Sequence, residues 1–132
     1  MTLRVALVVP EGEIWAGSAE IVIAKTLDGD IGVMTDHAPV LGILSEGSVV
    51  QIRPESSSQP DVFAAVSGGF FSVAESRVSI LARHAQLGAQ VDTVAAKAAL
   101  DEALQAPDQG GPEESADVRY FRALLRASGQ AN

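Results

Sequence analysis

The chain has 132 residues, a formal net charge of -8, 47% hydrophobic residues and no cysteine. A chain of this length can form one domain with a buried core, or a small domain with an appendage. Its negative charge disfavours binding to nucleic acid and to anionic lipid surfaces, because both repel an acidic protein. The absence of cysteine excludes disulfides, thiolate metal sites and a cysteine nucleophile, and it is compatible with a reducing cytoplasm.

Residues 1–86 are predicted to form an antiparallel β sandwich or barrel. Segments rich in Val and Ile recur at short, even spacing, with turn signals between them. These segments are Leu3–Val9, Ile21–Ile23, Ile31–Val33, Val49–Ile52, Val62–Val66 and Val78–Leu81. Asp28-Gly29 is predicted to form the centre of a hairpin turn, and Gly68-Gly69 to break a strand. No helical segment lies between these strands, which argues against a parallel sheet.

The sequence contains no segment with the properties of a membrane span. Residues 1–10 contain one arginine and only a short apolar run, so they are predicted to form a strand rather than a signal peptide. No later segment reaches the roughly 20 apolar residues of a membrane-spanning helix. We therefore expect any contact with a membrane to be made through another protein.

Residues 87–132 are predicted to form two helices. Asp92 is expected to cap the first, which runs from Thr93 to Ala106 and is rich in good helix formers. The second is predicted from Ser115 to Ser128, with Gly129 as its C-cap. The apolar positions of the first helix are Ala96, Leu100, Ala103 and Leu104, and those of the second are Val118, Phe121, Leu124 and Leu125.

Catalytic and metal-binding motifs are absent from the sequence. His37 and His84 stand alone, whereas a catalytic zinc usually requires three close protein ligands. Ser67 lacks the preceding glycine of a nucleophile elbow, and no phosphate-binding glycine loop occurs. Asp28 and Asp30 flank a glycine but lack the ligand-rich continuation of a calcium loop. We therefore expect no catalytic site, no metal and no cofactor.

Three features allow either a structural role or a role in protein contacts. Arg119, Arg122 and Arg126 recur on one face of the second helix, which is either solvated or docks on an acidic partner. Trp15 packs in the core or at its edge, or it anchors an interface. His37, in a tight turn before Pro39, is either a local hydrogen bonder or a contact to another protein.

Four segments, in order, resemble the epsilon subunits of bacterial F-type ATP synthases. They are Val8–Gly17, Leu27–Leu41 with its acidic-Gly-acidic segment and His-Ala-Pro turn, Gly47–Val50, and Ser67–Val73. The resemblance covers most of the predicted β domain, and a helical tail follows as in that family. Chloroplast and mitochondrial counterparts share these segments, so the lack of a transit peptide favours a bacterial protein.

The resemblance implies a ten-stranded β sandwich over residues 1–86 and a two-helix regulatory domain over residues 87–132. It also implies a non-catalytic subunit of the central stalk that couples the gamma subunit to the c-ring during rotary ATP synthesis. Such a subunit is peripheral, at the cytoplasmic face of the plasma membrane, and meets the membrane only through the complex. By matching motif, Asp28, Gly29 and Asp30 are candidates for c-ring contact, and His37 for gamma contact.

The resemblance gives the tail a regulatory role. In the family the helices fold against the sandwich or extend along gamma, where basic residues of the second helix meet the beta subunit and restrain ATP hydrolysis. Arg119, Arg122 and Arg126 match that contact, which would be transient and would involve the alpha and beta subunits. The second helix is short, which limits its reach along the stalk.

Some members of the family bind ATP at the start of the first helix, and the matching candidates in this chain are Asp92, Arg122 and Arg126. The arginine of the family's ATP-binding motif is replaced by Ala95, so we predict weak or absent ATP binding. Two other functions stay open on the residues alone. One is a free-standing β-sandwich binding module with a helical dimerisation tail, and the other, a small hydrolase, lacks a nucleophile–base pair.

Overall fold

The computed structural model of the protein describes residues 2–56, 58–105 and 115–130. Within these residues it has seven strands, a short 3-10 turn at Gly88–Gln90 and two α-helices. The strands are β1 (Leu3–Val9), β2 (Gly12–Thr26), β3 (Gly29–Met34), β4 (Val40–Ile43), β5 (Ser48–Pro54), β6 (Val62–Ala74) and β7 (Arg77–Leu87). The helices are α1 (Thr93–Gln105) and α2 (Ala116–Gln130).

The strands form a closed, two-layered β domain. The order is β1-β7-β6-β5-β2-β3, with β4 added on β6, and pairing between β1 and β2 closes the circuit. Strands β1 and β7 run parallel, and the other described pairs are antiparallel. The predicted class, a mainly β sandwich-like domain followed by two helices, is confirmed.

The predicted count of ten strands is wrong, because the described residues contain seven. Strands β2, β6 and β7 are 15, 13 and 11 residues long, and both β2 and β6 change neighbours along their length. The first part of β2 pairs with β1, and its second part pairs with β3 and β5. Gly68-Gly69 does not break β6 as predicted. These residues have φ values of 69° and 115°, which bend the strand while its pairing with β7 continues.

Alternation of side chains fills the space between the layers. In β1, Leu3, Val5 and Leu7 are buried whereas Arg4 is exposed, as the two-residue period of a strand requires. Phe71 of β6 is also buried, and its ring packs over Gly42, where an added Cβ would overlap it. Each such large side chain contributes about 1.5–3 kcal/mol by leaving water.

The predicted hairpin is present, but its turn lies one residue earlier than expected. Thr26 pairs with Gly29, so the two central residues are Leu27 and Asp28. Gly29 follows them with φ 120°, a conformation that glycine adopts without steric cost. The Thr26 hydroxyl donates to Gly29 O at 2.8 Å and accepts from Asp28 N–H at 3.1 Å. These bonds fix the shape of the turn.

The helices begin near the predicted residues. The cap of α1 is confirmed, because Asp92 Oδ1 accepts from Ala95 N–H at 3.1 Å. The predicted apolar stripe is shorter than expected, since Leu100 is buried but Leu104 is 50% exposed. Gly129 is not a C-cap: α2 continues to Gln130, and Gly129 is not among the glycines with positive φ. Ala106, the predicted end of the first helix, lies outside the described residues.

Within the described part of the chain, no helix has the length and hydropathy needed to cross a bilayer.

Candidate functional site

The β2–β3 hairpin presents a short, fixed tip. Leu27 is 69% exposed, and Asp28, Gly29 and Asp30 are exposed beside it. The tip is tied to the neighbouring strand, because Leu27 N–H donates to Ile43 O at 3.0 Å. It therefore offers one apolar side chain and two carboxylates in a defined arrangement.

The turn that contains His37 lies at the other end of β3. Asp36 has φ 66°, and its N–H donates to Ser76 Oγ at 3.1 Å. His37 N–H donates to Met34 O at 3.2 Å, and its Nδ1–H donates to Ala38 O at 2.7 Å. The four β3 residues after Asp30, about 13 Å of extended strand, separate this turn from the hairpin tip. The structure therefore does not bring His37 together with Asp28, Gly29 and Asp30.

An apolar surface connects these two ends of the domain. It consists of Leu41 (70% exposed), Ile43 (59%), Phe70 (44%) and Leu81 (37%), and we call it the open face. Ile43 pairs with Phe70, and Phe70 pairs with Leu81, so the three side chains lie side by side across β4, β6 and β7. Leu41, two residues before Ile43, projects on the same side. Sequence reasoning missed this surface, because it depends on the register between distant strands.

The C-terminal helix covers a different apolar surface, the outer side of β5 and β6. Ala65 of β6 is fully buried against Ala123 and Ala127 of α2. The approach is close enough to require glycine at residue 88, where an added Cβ would lie 2.3 Å from Ala127 O. Phe63 also packs into this cluster. The helix is therefore docked on the sandwich backbone rather than loosely associated.

The three arginines of α2 do not share one environment. Arg119 Nη2 lies 3.7 Å from Glu46 Oε2, and Arg126 Nη2 donates to Gly47 O at 3.1 Å. Both partners belong to the turn between β4 and β5, residues 44–47, which we call the β4–β5 turn. Arg122 is exposed. Sequence reasoning identified the arginines but missed Glu46 and Gly47, which carry no local signal of this contact.

The nucleotide candidates are already engaged in structural contacts. The Asp92 carboxylate caps α1, and Arg126 is bound to the β4–β5 turn. A cleft of about 170 Å³ adjoins Arg126 and is lined by Ile23, Lys25, Val49, Gln51 and Phe63. This is below the roughly 300 Å³ at which pockets for drug-sized ligands begin. In the part of the chain that the structure describes, no three acidic or histidine side chains are grouped to hold a metal.

Two aromatic residues have structural positions. Trp15 is partly buried against the sandwich core, as expected for a core or domain-edge residue, and its ring packs over Gly17. Tyr120 of α2 faces His84 of β7, with ring centroids 6.1 Å apart. Burial raises the pKa of Tyr120 above its ordinary value of 10.0, because the phenolate is less well solvated there.

The relatives found by comparison with known proteins all point to one family. Residues 2–88 match the family described as the beta-sandwich domain of the ATP synthase Delta/Epsilon chain. The ATP synthase epsilon chain of Thermobifida fusca is 47% identical over 127 residues, which cover 96% of this chain and 91% of that protein. The ATP synthase epsilon chain of Streptomyces coelicolor is 44% identical over 124 residues, which cover 94% and 97% of the two proteins.

Solved structures share the fold. A chain in the cryo-EM structure of Euglena gracilis mitochondrial ATP synthase (OSCP, F1 and c-ring) has a TM-score of 0.76 at 21% identity, covering 96% of this chain and 81% of that one. A chain of the Tetrahymena thermophila mitochondrial ATP synthase central stalk and c-ring has a TM-score of 0.61 at 17% identity, covering 99% and 96%. The family predicted from four sequence segments is thereby confirmed: this chain belongs to the ATP synthase epsilon chains.

Proposed function

We propose that this chain is a non-catalytic central-stalk subunit of a proton-translocating F-type ATP synthase, which couples the gamma subunit to the c-ring during rotary ATP synthesis. The observation that carries this proposal is the open face. Four large apolar side chains, Leu41, Ile43, Phe70 and Leu81, lie in water on a domain whose other apolar surface is covered by its own helix. Contiguous exposed apolar surface of this kind marks a protein interface.

The position of the open face fits a subunit held between two others. One end lies near the turn that contains His37, the proposed gamma contact. The other end lies beside the hairpin tip, where Asp28, Gly29 and Asp30 are the proposed c-ring contacts. A domain that binds gamma along this face and the c-ring at its tip would transmit rotation between them. It would meet the membrane through the c-ring, at the cytoplasmic face of a bacterial plasma membrane.

Replacement of Ile43 at the centre of the open face tests the gamma contact. Ile43→Ser should weaken binding to purified gamma subunit by about tenfold or more, because central apolar anchors dominate interface energy. Isothermal titration at constant salt measures this affinity. The control is Leu104→Ser, which changes an exposed leucine on α1. Equal affinities of the two variants for gamma would show that gamma does not bind the open face.

The tail, residues 87–132, is the proposed regulatory domain, which restrains ATP hydrolysis through transient contact of Arg119, Arg122 and Arg126 with the beta subunit. Helix α2 has 15 residues, so it extends about 22 Å, and we expect partial rather than complete restraint. Deletion of residues 115–132 should raise hydrolysis by the assembled enzyme. Unchanged hydrolysis would exclude the regulatory role and leave the coupling role in place.

The tail is not expected to sense ATP. Ala95 offers no cation at the start of α1, and the Asp92 carboxylate already accepts a hydrogen bond from the helix. Isothermal titration of the full chain with ATP should show no binding at micromolar concentration. Micromolar affinity would instead indicate that Arg122 and Arg126 suffice for a nucleotide site.

A further inference from the structure

We propose that the cleft beside Arg126, on the outer face of the sandwich, binds a small amphipathic carboxylate. The ligand class is a short aliphatic chain that ends in one carboxylate group. The cleft has a volume of about 170 Å³, and its lining consists of Ile23, Lys25, Val49, Gln51, Phe63 and Arg126. None of these six residues is a proposed gamma or c-ring contact, so the site is additional to the coupling role.

Two rows of side chains across neighbouring strands form the floor of the cleft. Ile23 pairs with Gln51, and Gln51 pairs with Phe63, so these three side chains form one row across β2, β5 and β6. Lys25 and Val49 lie two residues away along β2 and β5, and they project on the same side. The residues between them on each strand belong to the sandwich core, so the floor faces outward.

Two cations meet at one end of this floor. Ser45 N–H donates to Lys25 O at 2.9 Å, and Arg126 Nη2 donates to Gly47 O at 3.1 Å. Since Ser45 and Gly47 both belong to the β4–β5 turn, the turn places Lys25 and Arg126 at the same end. A guanidinium has five N–H donors and an ammonium has three, so donors are left for a ligand after the bond to Gly47. A carboxylate at this end would accept from both side chains.

The acidic residues near the cleft lie outside its lining. Asp61 Oδ2 accepts from Gln51 Nε2 at 2.7 Å and lies 3.7 Å from Arg53 Nε. Asp30 pairs with Lys25 across β2 and β3, but it is exposed and is not a lining residue. The lining therefore carries two positive charges and no carboxylate, on a chain whose net charge is -8. This local excess of positive charge selects an anion.

The rest of the lining, and the size of the cleft, set the other properties of the ligand. Ile23, Val49 and Phe63 are half-buried, so an aliphatic chain that packs on them leaves water and gains affinity. At roughly 30 Å³ for each water molecule, the cleft holds about five or six waters, or a ligand with a similar number of non-hydrogen atoms. Butyrate has this size and this chemistry, whereas a nucleotide is far larger.

Titration of the full chain with sodium butyrate, followed by amide chemical shifts, tests the site. The ionic strength is held constant with sodium chloride, because salt screens exposed charges. The shifts should saturate with a Kd on the order of 1 mM, a weak affinity that suits a ligand of so few atoms. The largest shifts should fall on Ile23, Lys25, Val49 and Gln51. A response no larger than that to sodium chloride alone would overturn the proposal.

Three further probes define the ligand class. Acetate keeps the carboxylate but lacks two CH₂ groups, so it should bind up to about tenfold more weakly than butyrate. Butylammonium keeps the chain but reverses the charge, and it should leave these amides unshifted. Inorganic phosphate tests for a simple anion site. Equal affinity for butyrate and acetate, or for butyrate and phosphate, would exclude the amphipathic ligand, and binding of butylammonium would exclude the anion site.

The role of Lys25 is tested by Lys25→Met, which removes the charge and keeps a long side chain. Butyrate should bind this variant up to about fivefold more weakly, the upper range for an exposed pair of charges. The control is Lys97→Met, which makes the same change in net charge at an exposed position of α1. Because Lys25 is exposed as well, both variants should keep the amide spectrum of the folded chain. Equal affinities of the two variants for butyrate would overturn the proposal.

Discussion

Strand β6 contributes to both outer apolar surfaces of the sandwich, but α2 covers only one of them. Near its start, Phe63 and Ala65 lie beneath α2, whereas Phe70, farther along, is 44% exposed. The covered surface relies on small residues, which let two backbones approach closely. The open face carries large side chains that reach outward. The chain covers one surface with its own helix, whereas the other stays exposed.

The difference extends to the strength of attachment. The sandwich core joins large buried side chains from β1, β5, β6 and β7 in one cluster. The helix is held by a second, smaller cluster, whose fully buried members are alanines. Regions with fewer buried apolar contacts open at lower free energy than the core. We therefore expect the tail to open at a lower free energy than the sandwich core.

The largest expected effect is a difference in the free energy of unfolding between variants of two adjacent phenylalanines. Phe71→Ala should lower the free energy of unfolding by about 3–5 kcal/mol, because it leaves a cavity in the sandwich core. Phe70→Ala should lower it by about 1 kcal/mol or less, since much of that ring is already in water. Urea unfolding followed by the fluorescence of Trp15, the one tryptophan of the chain, measures both. Similar losses would mean that the open face belongs to the folding core.

Gly88 tests how closely the tail docks. Gly88→Ala places a Cβ against the carbonyl groups of Ala127 and Phe63, at 2.3 and 3.2 Å, so docking should weaken by about 1–3 kcal/mol. Hydrogen exchange should then rise in α2 and stay constant in β1. Gly129→Ala is the control, because a Cβ there meets nothing within 4 Å and alanine favours a helix. Undisturbed α2 exchange in Gly88→Ala would contradict close docking.

The sequence predicted local structure better than it predicted contacts. Alternation in Leu3–Val9 and the capping residue Asp92 are local signals, and both elements form as expected. The count of ten strands came from the family resemblance and not from a pattern in the residues, and it failed because β2, β6 and β7 each continue over 11 to 15 residues. The open face and the β4–β5 turn could not be foreseen, since each depends on residues far apart in the chain. Ile43 meets Phe70, and Glu46 meets Arg119, through sheet register and helix docking that no local pattern encodes.

The ionisation of Tyr120 gives the smallest effect and reports directly on the docked tail. It is the single tyrosine of the chain, so phenolate absorbance follows this residue alone. Burial raises its pKa above 10.0, so the docked form holds its proton more tightly than the released form. This contribution to docking is complete below pH 10.0 and is lost as the pH rises through the pKa of the docked state.

A spectrophotometric titration should therefore give a midpoint above 10.0 in the parent chain, and one closer to 10.0 in Gly88→Ala. Phe71→Ala, measured where the sandwich is still folded, should keep the higher midpoint, because Tyr120 packs in the tail cluster rather than in the sandwich core. Identical midpoints in the parent chain and Gly88→Ala would show that Tyr120 is not buried by docking. In that case α2 would dock more weakly on the covered surface than the structure indicates. The covered surface and the open face would then differ less in their exposure to water.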